Sequence, residues 1–362
     1  MEIGFFFWPY DVALIEAMAG AADRFGYDMI GVADTPGNAM DPWVAATLVA
    51  SRIRRSRIAL CVTNLVTRHP AVSAASIASV NLLAPGRAVL GIGVGHSGTR
   101  NLGAPSLAAG ELADGVTFVK SLLRGEPASY RGAPAHLPWV KTPSPVFLAA
   151  SHPRSLRAAG ATADGAFINF GLGADNVRAS EATVTDAARA AGRDPGEVEI
   201  WQIACLDCHE DGDAARRKIG AILAFVSAYI MGGGDLARRG VPEEYRAPLQ
   251  ELRRRYSTRP GAADAALVAE LGLFDYLSRR LAVCGTPDEC LAQVRAAQAA
   301  GVRRLMFTVS LATDPVRTVD LRREGTPRPS RRASLTTARR LRSLGRLSTG
   351  GAGMTPLWLR FA

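Results

Sequence analysis

The chain is short of the residues that mark the simplest special cases. Aromatic side chains make up 7% of its 362 residues, and cysteine occurs only five times. Five scattered thiols, an odd number, offer no disulfide framework and fit a reducing compartment, so a cytoplasmic protein is expected. No apolar run approaches the roughly 18 residues that a membrane-spanning helix requires. The opening Met1-Glu2-Ile3-Gly4-Phe5 carries no basic leader, so no signal peptide is expected. Glycine (36) and proline (21) are near average, which excludes collagen-like and low-complexity chains. At 48% hydrophobic and 21% charged, the composition is that of an ordinary globule rather than a disordered chain.

Acidic residues are nearly missing from one region. Residues 322–362 hold ten arginines and a single acid, Glu324. Their net charge is +9 out of +10 for the whole chain, so residues 1–321 carry only +1. The high isoelectric point therefore belongs to a tail, and the body gives no reason to expect a nucleic-acid binder. The tail shows no apolar periodicity, so residues 321–362 are expected to be disordered. It could bind polyanions, dock a partner, or be an end without function.

From residue 1 to about 320, strand-like runs alternate with amphipathic helical stretches. Eight runs read as strands: Ile3–Trp8, Asp28–Ala33, Ile58–Leu65, Ala88–Gly95, Val146–Ala150, Ala166–Phe170, Val198–Leu206 and Leu305–Leu311. Helices are expected between them, the first capped by Asp11 and another opening at Pro153. Residues 127–145 contain five prolines and read as an extended loop. The rhythm predicts an α/β chain, a (β/α)8 TIM barrel over residues 1–320 with a helical insertion at about 235–280 after the seventh strand. An open doubly wound sheet is the alternative.

Several motifs carry more than one reading. Gly93, Gly95 and Gly98 satisfy G-x-G-x-x-G, but Thr99 to Pro105 reads as a loop, not the helix that a dinucleotide site needs. Close packing of backbone inside a barrel, or close approach of backbone to a flat ligand ring, accounts for the same glycines. Cys205-Leu206-Asp207-Cys208-His209 matches the haem-attachment pattern, yet ordinary packing at a strand end explains it, and zinc would want two more ligands. Ser151 and His152 precede Pro153 and would cap that helix or meet a phosphate. Arg68 and His69 precede Pro70, where a structural role and ligand contact are equally open. Asp34 ends the second strand, as a chemical group or as a cap. Polar groups at the strand ends are few (Asp34, Thr63, Asn64, His96, Ser151 and Asn169), which suits a cofactor that performs the chemistry itself.

Two stretches stand out together: Val62-Thr63-Asn64-Leu65-Val66-Thr67-Arg68-His69-Pro70 and Ala84-Pro85-Gly86-Arg87-Ala88-Val89-Leu90-Gly91-Ile92-Gly93. With Ala163-Asp164-Gly165 and Gly285-Thr286-Pro287, they resemble the luciferase-like flavin- or deazaflavin-dependent oxidoreductases, nearest the methylenetetrahydromethanopterin reductase branch. The resemblance spans residues 1 to about 320. It implies a (β/α)8 barrel, FMN or the deazaflavin coenzyme F-420 as cofactor, hydride exchange with a small organic substrate, and often a homodimer. It places Asp34, Cys61, Val62, Thr63, Asn64, Gly95, His96, Ala150, Ser151 and His152 around the cofactor, and a non-prolyl cis peptide at Cys61–Val62. No metal is implied. Thr35 stands where many members have a histidine, and His96 where several deazaflavin members have an acid. Those departures leave the proton-transfer group open, with Asp34 and His96 as the candidates. His96 is expected to titrate near neutrality and shuttle a proton, or else to hydrogen-bond the loop around Gly103. A Rossmann-type nicotinamide dehydrogenase, marked by a helix starting at Gly98, and a non-catalytic protein with a polyanion-binding tail are the alternatives.

Overall fold

In the computed structural model, residues 1–231, 234–256, 265–312 and 314–320 are described. The expected basic tail, 321–362, and its partners lie outside them. The eight apolar runs all form parallel strands: β1 (Glu2–Phe7), β2 (Met29–Val32), β3 (Arg57–Asn64), β4 (Ala88–Gly93), β7 (Val146–Ala150), β8 (Gly165–Ile168), β9 (Glu199–Cys208) and β11 (Arg304–Thr308). They pair in chain order, and β11 closes on β1 with Ile3 opposite Leu305 and Phe5 opposite Phe307. The result is the expected closed eight-stranded barrel. An open doubly wound sheet is thereby excluded.

Helices cover the outside: α1 (Val12–Phe25), α2 (Pro42–Arg52), α3 (Pro70–Leu83), α5 (Ala109–Leu123), α6 (Pro153–Thr162), α7 (Ala174–Ala190), α8 (Gly212–Ile230) and α12 (Pro287–Ala299). Their starts follow local chemistry. Asp11 accepts from Leu14 N at 2.7 Å, Asp41 from Trp43 N at 2.9 Å and Asp211 from Asp213 N at 3.0 Å, each satisfying free donors of a first turn. The barrel interior is a separate small core of Met29, Ala59, Val89, Phe147, Phe167, Trp201 and Met306. A third core lies between α8 and the insertion, which contains α9 (Glu243–Arg255), α10 (Ala265–Glu270) and α11 (Phe274–Leu281). No helix among the described residues is long and apolar enough to cross a membrane.

Three expectations need correction. Residues 127–145 are not all loop, because β5 (Ala128–Tyr130) and β6 (Ala133–Ala135) form a short antiparallel hairpin. Arg131 (φ 51°) and Gly132 (φ 83°) make its two-residue turn, which demands positive φ at both positions. A ninth barrel-sheet strand, β10 (Ala282–Gly285), pairs with the end of β9. After β4 the chain is not simply loop either, since Ser97–Arg100 forms a single helical turn, α4. One turn on the fourth strand of a closed barrel is not the βαβ opening that a dinucleotide fingerprint requires, so the nicotinamide alternative fails. The last described element, α13 (Pro315–Thr318), packs against α1 and the end of β9.

Candidate active site

The C-terminal ends of the barrel strands open into a cleft of ≈ 350 Å³, in the range of small-molecule sites. Its floor begins at the end of β3. The Cys61–Val62 peptide is cis, and the β3–β4 register shifts between Leu60 and Thr63. This bulge turns Val62 into the cleft. It leaves so little room that a Cβ on Gly91 would stand 2.2 Å from Leu60 O, and one on Gly93 would stand 3.0 Å from Val62 Cγ2. Glycine at these positions therefore serves backbone packing, while Gly93 and Gly95 also face the cleft. Beyond the bulge, the Thr63 hydroxyl donates to Asp34 Oδ2 at 2.6 Å. Asn64 Oδ1 accepts from Val66 N and Thr67 N, both at 2.9 Å, and reverses the chain toward α3.

All ten residues assigned to the cofactor surroundings line this one cleft: Asp34, Cys61, Val62, Thr63, Asn64, Gly95, His96, Ala150, Ser151 and His152. Arg68 and His69 do not. Arg68 pairs with Asp41, the N-cap of α2, and His69 Nδ1 accepts from Ala71 N at 3.2 Å at the start of α3, so both serve helix starts. The expected capping by Ser151 or His152 side chains is also absent from α6. Instead Ser155 Oγ accepts from His152 N at 3.2 Å and donates to His152 O at 3.0 Å. The Cys205–Cys208 pair is buried on β9, and His209 Nδ1 accepts from Asp211 N at 3.0 Å, consistent with plain packing.

The electrostatics of the cleft correct one reading. His96 does not titrate near neutrality, because burial, helped by Arg100 and Arg253, pushes its pKa down to about 4. Nor does it bond the Gly103 loop: its ring stacks on Tyr229 at 5.7 Å and 24°. His152 is likewise pushed down to about 4, by burial and then by Arg239. Burial acts on Asp34 in the opposite sense, raising its pKa against the Thr63 hydrogen bond that lowers it. At neutral pH both imidazoles are uncharged, while burial biases Asp34 toward its protonated form. Asn169, at the end of β8, also lines the cleft, and its Oδ1 has no partner among the described residues.

Sequence reasoning missed one whole side of the site. Trp8 and the α8 residues Ile222, Phe225, Val226, Tyr229 and Ile230 wall the cleft opposite the bulge. The signal was present as spacing, since these positions recur every three or four residues along one helix face. They were hidden because α8 is apolar on two faces. Ile219, Leu223 and Ala224 feed the insertion core, and Ile222 and Val226 belong both to that core and to the cleft wall.

Comparison with known proteins follows the same lines. The luciferase-like monooxygenase family matches residues 10–304. The chain is 27% identical over 316 residues to a 5,10-methylenetetrahydromethanopterin reductase of Methanolobus tindarius, covering 84% of this chain and 93% of that protein. It is 29% identical over 292 residues to a phthiodiolone/phenolphthiodiolone dimycocerosates ketoreductase of Mycobacterium tuberculosis, covering 76% of this chain and 75% of that one. Among solved structures, the coenzyme F-420-dependent tetrahydromethanopterin reductase from Methanopyrus kandleri superposes with a TM-score of 0.71 at 21% identity, covering 88% of this chain and 96% of the other. The family match spans most of the barrel, strands, bulge and cleft together, and the chain belongs to the luciferase-like monooxygenase family of cofactor-dependent oxidoreductases.

Proposed function

We propose that the cleft holds a flavin-type ring, coenzyme F-420 or FMN, and that the enzyme moves hydride between this ring and a small organic substrate. The observation that carries the reading is the β3 bulge with Gly93 beside it, a strip of bare backbone on one wall of a ring-sized cleft. Asn169 adds a second fit, because a buried amide oxygen without a partner wants a donor from whatever fills the cleft. When bound, such a ring supplies the hydride chemistry.

The chain's own residues divide the remaining work. Val62, Gly93 and Gly95 would bear on the ring, and the side chains of Ser151, His152 and Arg154 at the first turn of α6 would take a phosphate. Asp34 would hold the transferable proton on its carboxyl, with the Thr63 hydroxyl fixing Oδ2. His96, uncharged and stacked on Tyr229, would position substrate as a hydrogen-bonding group. Trp8 and α8 would keep water out.

The purified protein should be incubated with each cofactor, passed through gel filtration and scanned for ring absorbance. Retention of coenzyme F-420 or FMN by the protein fraction is expected, and retention of neither would overturn the reading. A homodimer and a cytoplasmic site of action complete the proposal. Exposed Val44 on α2 with Val72 and Leu83 on α3 offer apolar surface for a second copy, and all five cysteines are free thiols. Sedimentation velocity reads the first of these directly.

A further inference from the structure

The two sides of the cleft differ in chemistry. The bulge side is backbone and small polar groups; the opposite side is Trp8 with the α8 stripe. That stripe is one packed aromatic surface. Trp8 meets Phe225 edge-on at 5.1 Å, and Phe225 meets Tyr229 at 5.4 Å and 62°. Tyr229 in turn carries His96 on its ring, and the Arg100 guanidinium lies 5.1 Å from its centroid. We propose that this wall is the substrate subsite, that its substrate is an uncharged, predominantly apolar, ring-bearing ketone or the matching alcohol, and that Phe225 and Tyr229 set this specificity. The proposal rests on the oxidoreductase reading above and adds the substrate class to it.

Charge as well as shape separates the two sides of the cleft. Among the lining residues, Arg154 is the only permanent cation, and it stands in the first turn of α6, away from the α8 stripe. The two imidazoles that could have become cations are held neutral by burial. Asp34 offers either a neutral carboxyl or a like charge. Arg100 and Arg253, whose charges reach His96, are both exposed and do not line the cleft, and Arg100 lies over the Tyr229 ring. Arg239 stands behind the lining, its guanidinium engaged by the Ser151 and Met231 carbonyls at 3.3 and 3.4 Å and by Ile230 O. A carboxylate placed against the wall would shed its hydration with no cation lining that side to replace it, which is costly in a buried site. A neutral ring would exchange water for aromatic contact, and one carbonyl or hydroxyl oxygen matches the few polar groups at the floor.

Acetophenone and 4-acetylbenzoate test this directly, since they differ only by a carboxylate. Their binding to the full chain is measured by ligand-observed NMR with and without cofactor, and cofactor retention is measured separately by gel filtration. Acetophenone should bind at least about tenfold more tightly than 4-acetylbenzoate. Phe225→Ala should weaken acetophenone by about tenfold while leaving cofactor retention unchanged. Phe225→Lys should reverse the preference in favour of the carboxylate. Equal or tighter binding of 4-acetylbenzoate by the unaltered protein, binding of neither ligand, or acetophenone binding unmoved in folded variants would each overturn the proposal. Ketone binding without cofactor retention would instead remove the cofactor reading and leave the wall's preference standing.

Discussion

His96 and His152 share a cleft in which burial has stripped both of their affinity for protons, to a pKa of about 4 each. In the unfolded chain each would titrate near 6.5, so between those values the unfolded state binds more protons than the folded one. Stability is therefore fully present above about pH 6.5 and is lost as pH falls toward 4. The melting temperature should drop across that window, and the double substitution His96→Gln with His152→Gln should flatten the drop. Asp34 has the opposite sign. Its raised pKa makes the folded state the better proton binder, so its contribution is present at low pH and lost as pH rises. Asp34→Asn should melt no lower than the parent at pH 7 and keep its cofactor, while turnover falls by about a hundredfold. A turnover within a factor of two would take the proton away from Asp34. The cleft's polar residues were legible because they sit in short local turns such as Thr63-Asn64 and Ser151-His152. The state of His96 was not, since its burial comes from Tyr229 on a helix far along the chain.

At the level of elements, boundaries were readable wherever local chemistry fixes them. Asp11 before α1, Pro70 opening α3 and Pro153 opening α6 each lie where the sequence puts them. Failures came where tertiary partners decide. The β5–β6 hairpin survives among prolines because Pro134 sits in a two-stranded edge ribbon and not in the barrel. Strand β10 exists because the long β9 extends past the barrel and offers it an edge from Cys205 to Cys208. The insertion is tied to the segment after β8 by Arg280, which is buried and donates to Gly240 O at 2.9 Å, Tyr276 Oη at 2.8 Å and Arg239 O at 2.8 Å, with Phe170 O at 3.3 Å. Arg280→Met should cost about 2–4 kcal/mol in urea unfolding, because several buried carbonyls lose their donor together. A loss below about 0.5 kcal/mol would mean that the insertion is held by its apolar core alone.

The whole molecule is a barrel closed by the last strand, β11, on the first, with α13 then packed against α1 and the end of β9. Tyr27 Oη donates to Val319 O at 2.7 Å in a buried position, and Thr318 Oγ1 donates to Cys208 O at 3.3 Å. Closure was legible from eight runs in regular alternation, while the packing of α13 was not, because Pro315–Thr318 is a single turn with no periodicity to read. A chain ending at Asp320 should melt within a few degrees of the full chain, whereas one ending before Asp314 should melt distinctly lower. A large drop for the first would give the basic tail a structural role.

What this barrel does depends on the backbone strip beside the β3 bulge receiving a flat ring. Equilibrium titration of the unaltered protein and of Gly93→Val with coenzyme F-420 and with FMN measures that most directly. One ring per chain should bind the unaltered protein, and a valine projecting beside Val62 should abolish binding while the barrel still melts cooperatively. Failure of both cofactors to bind, or equal binding by a folded Gly93→Val protein, would contradict the placement of the ring against this wall.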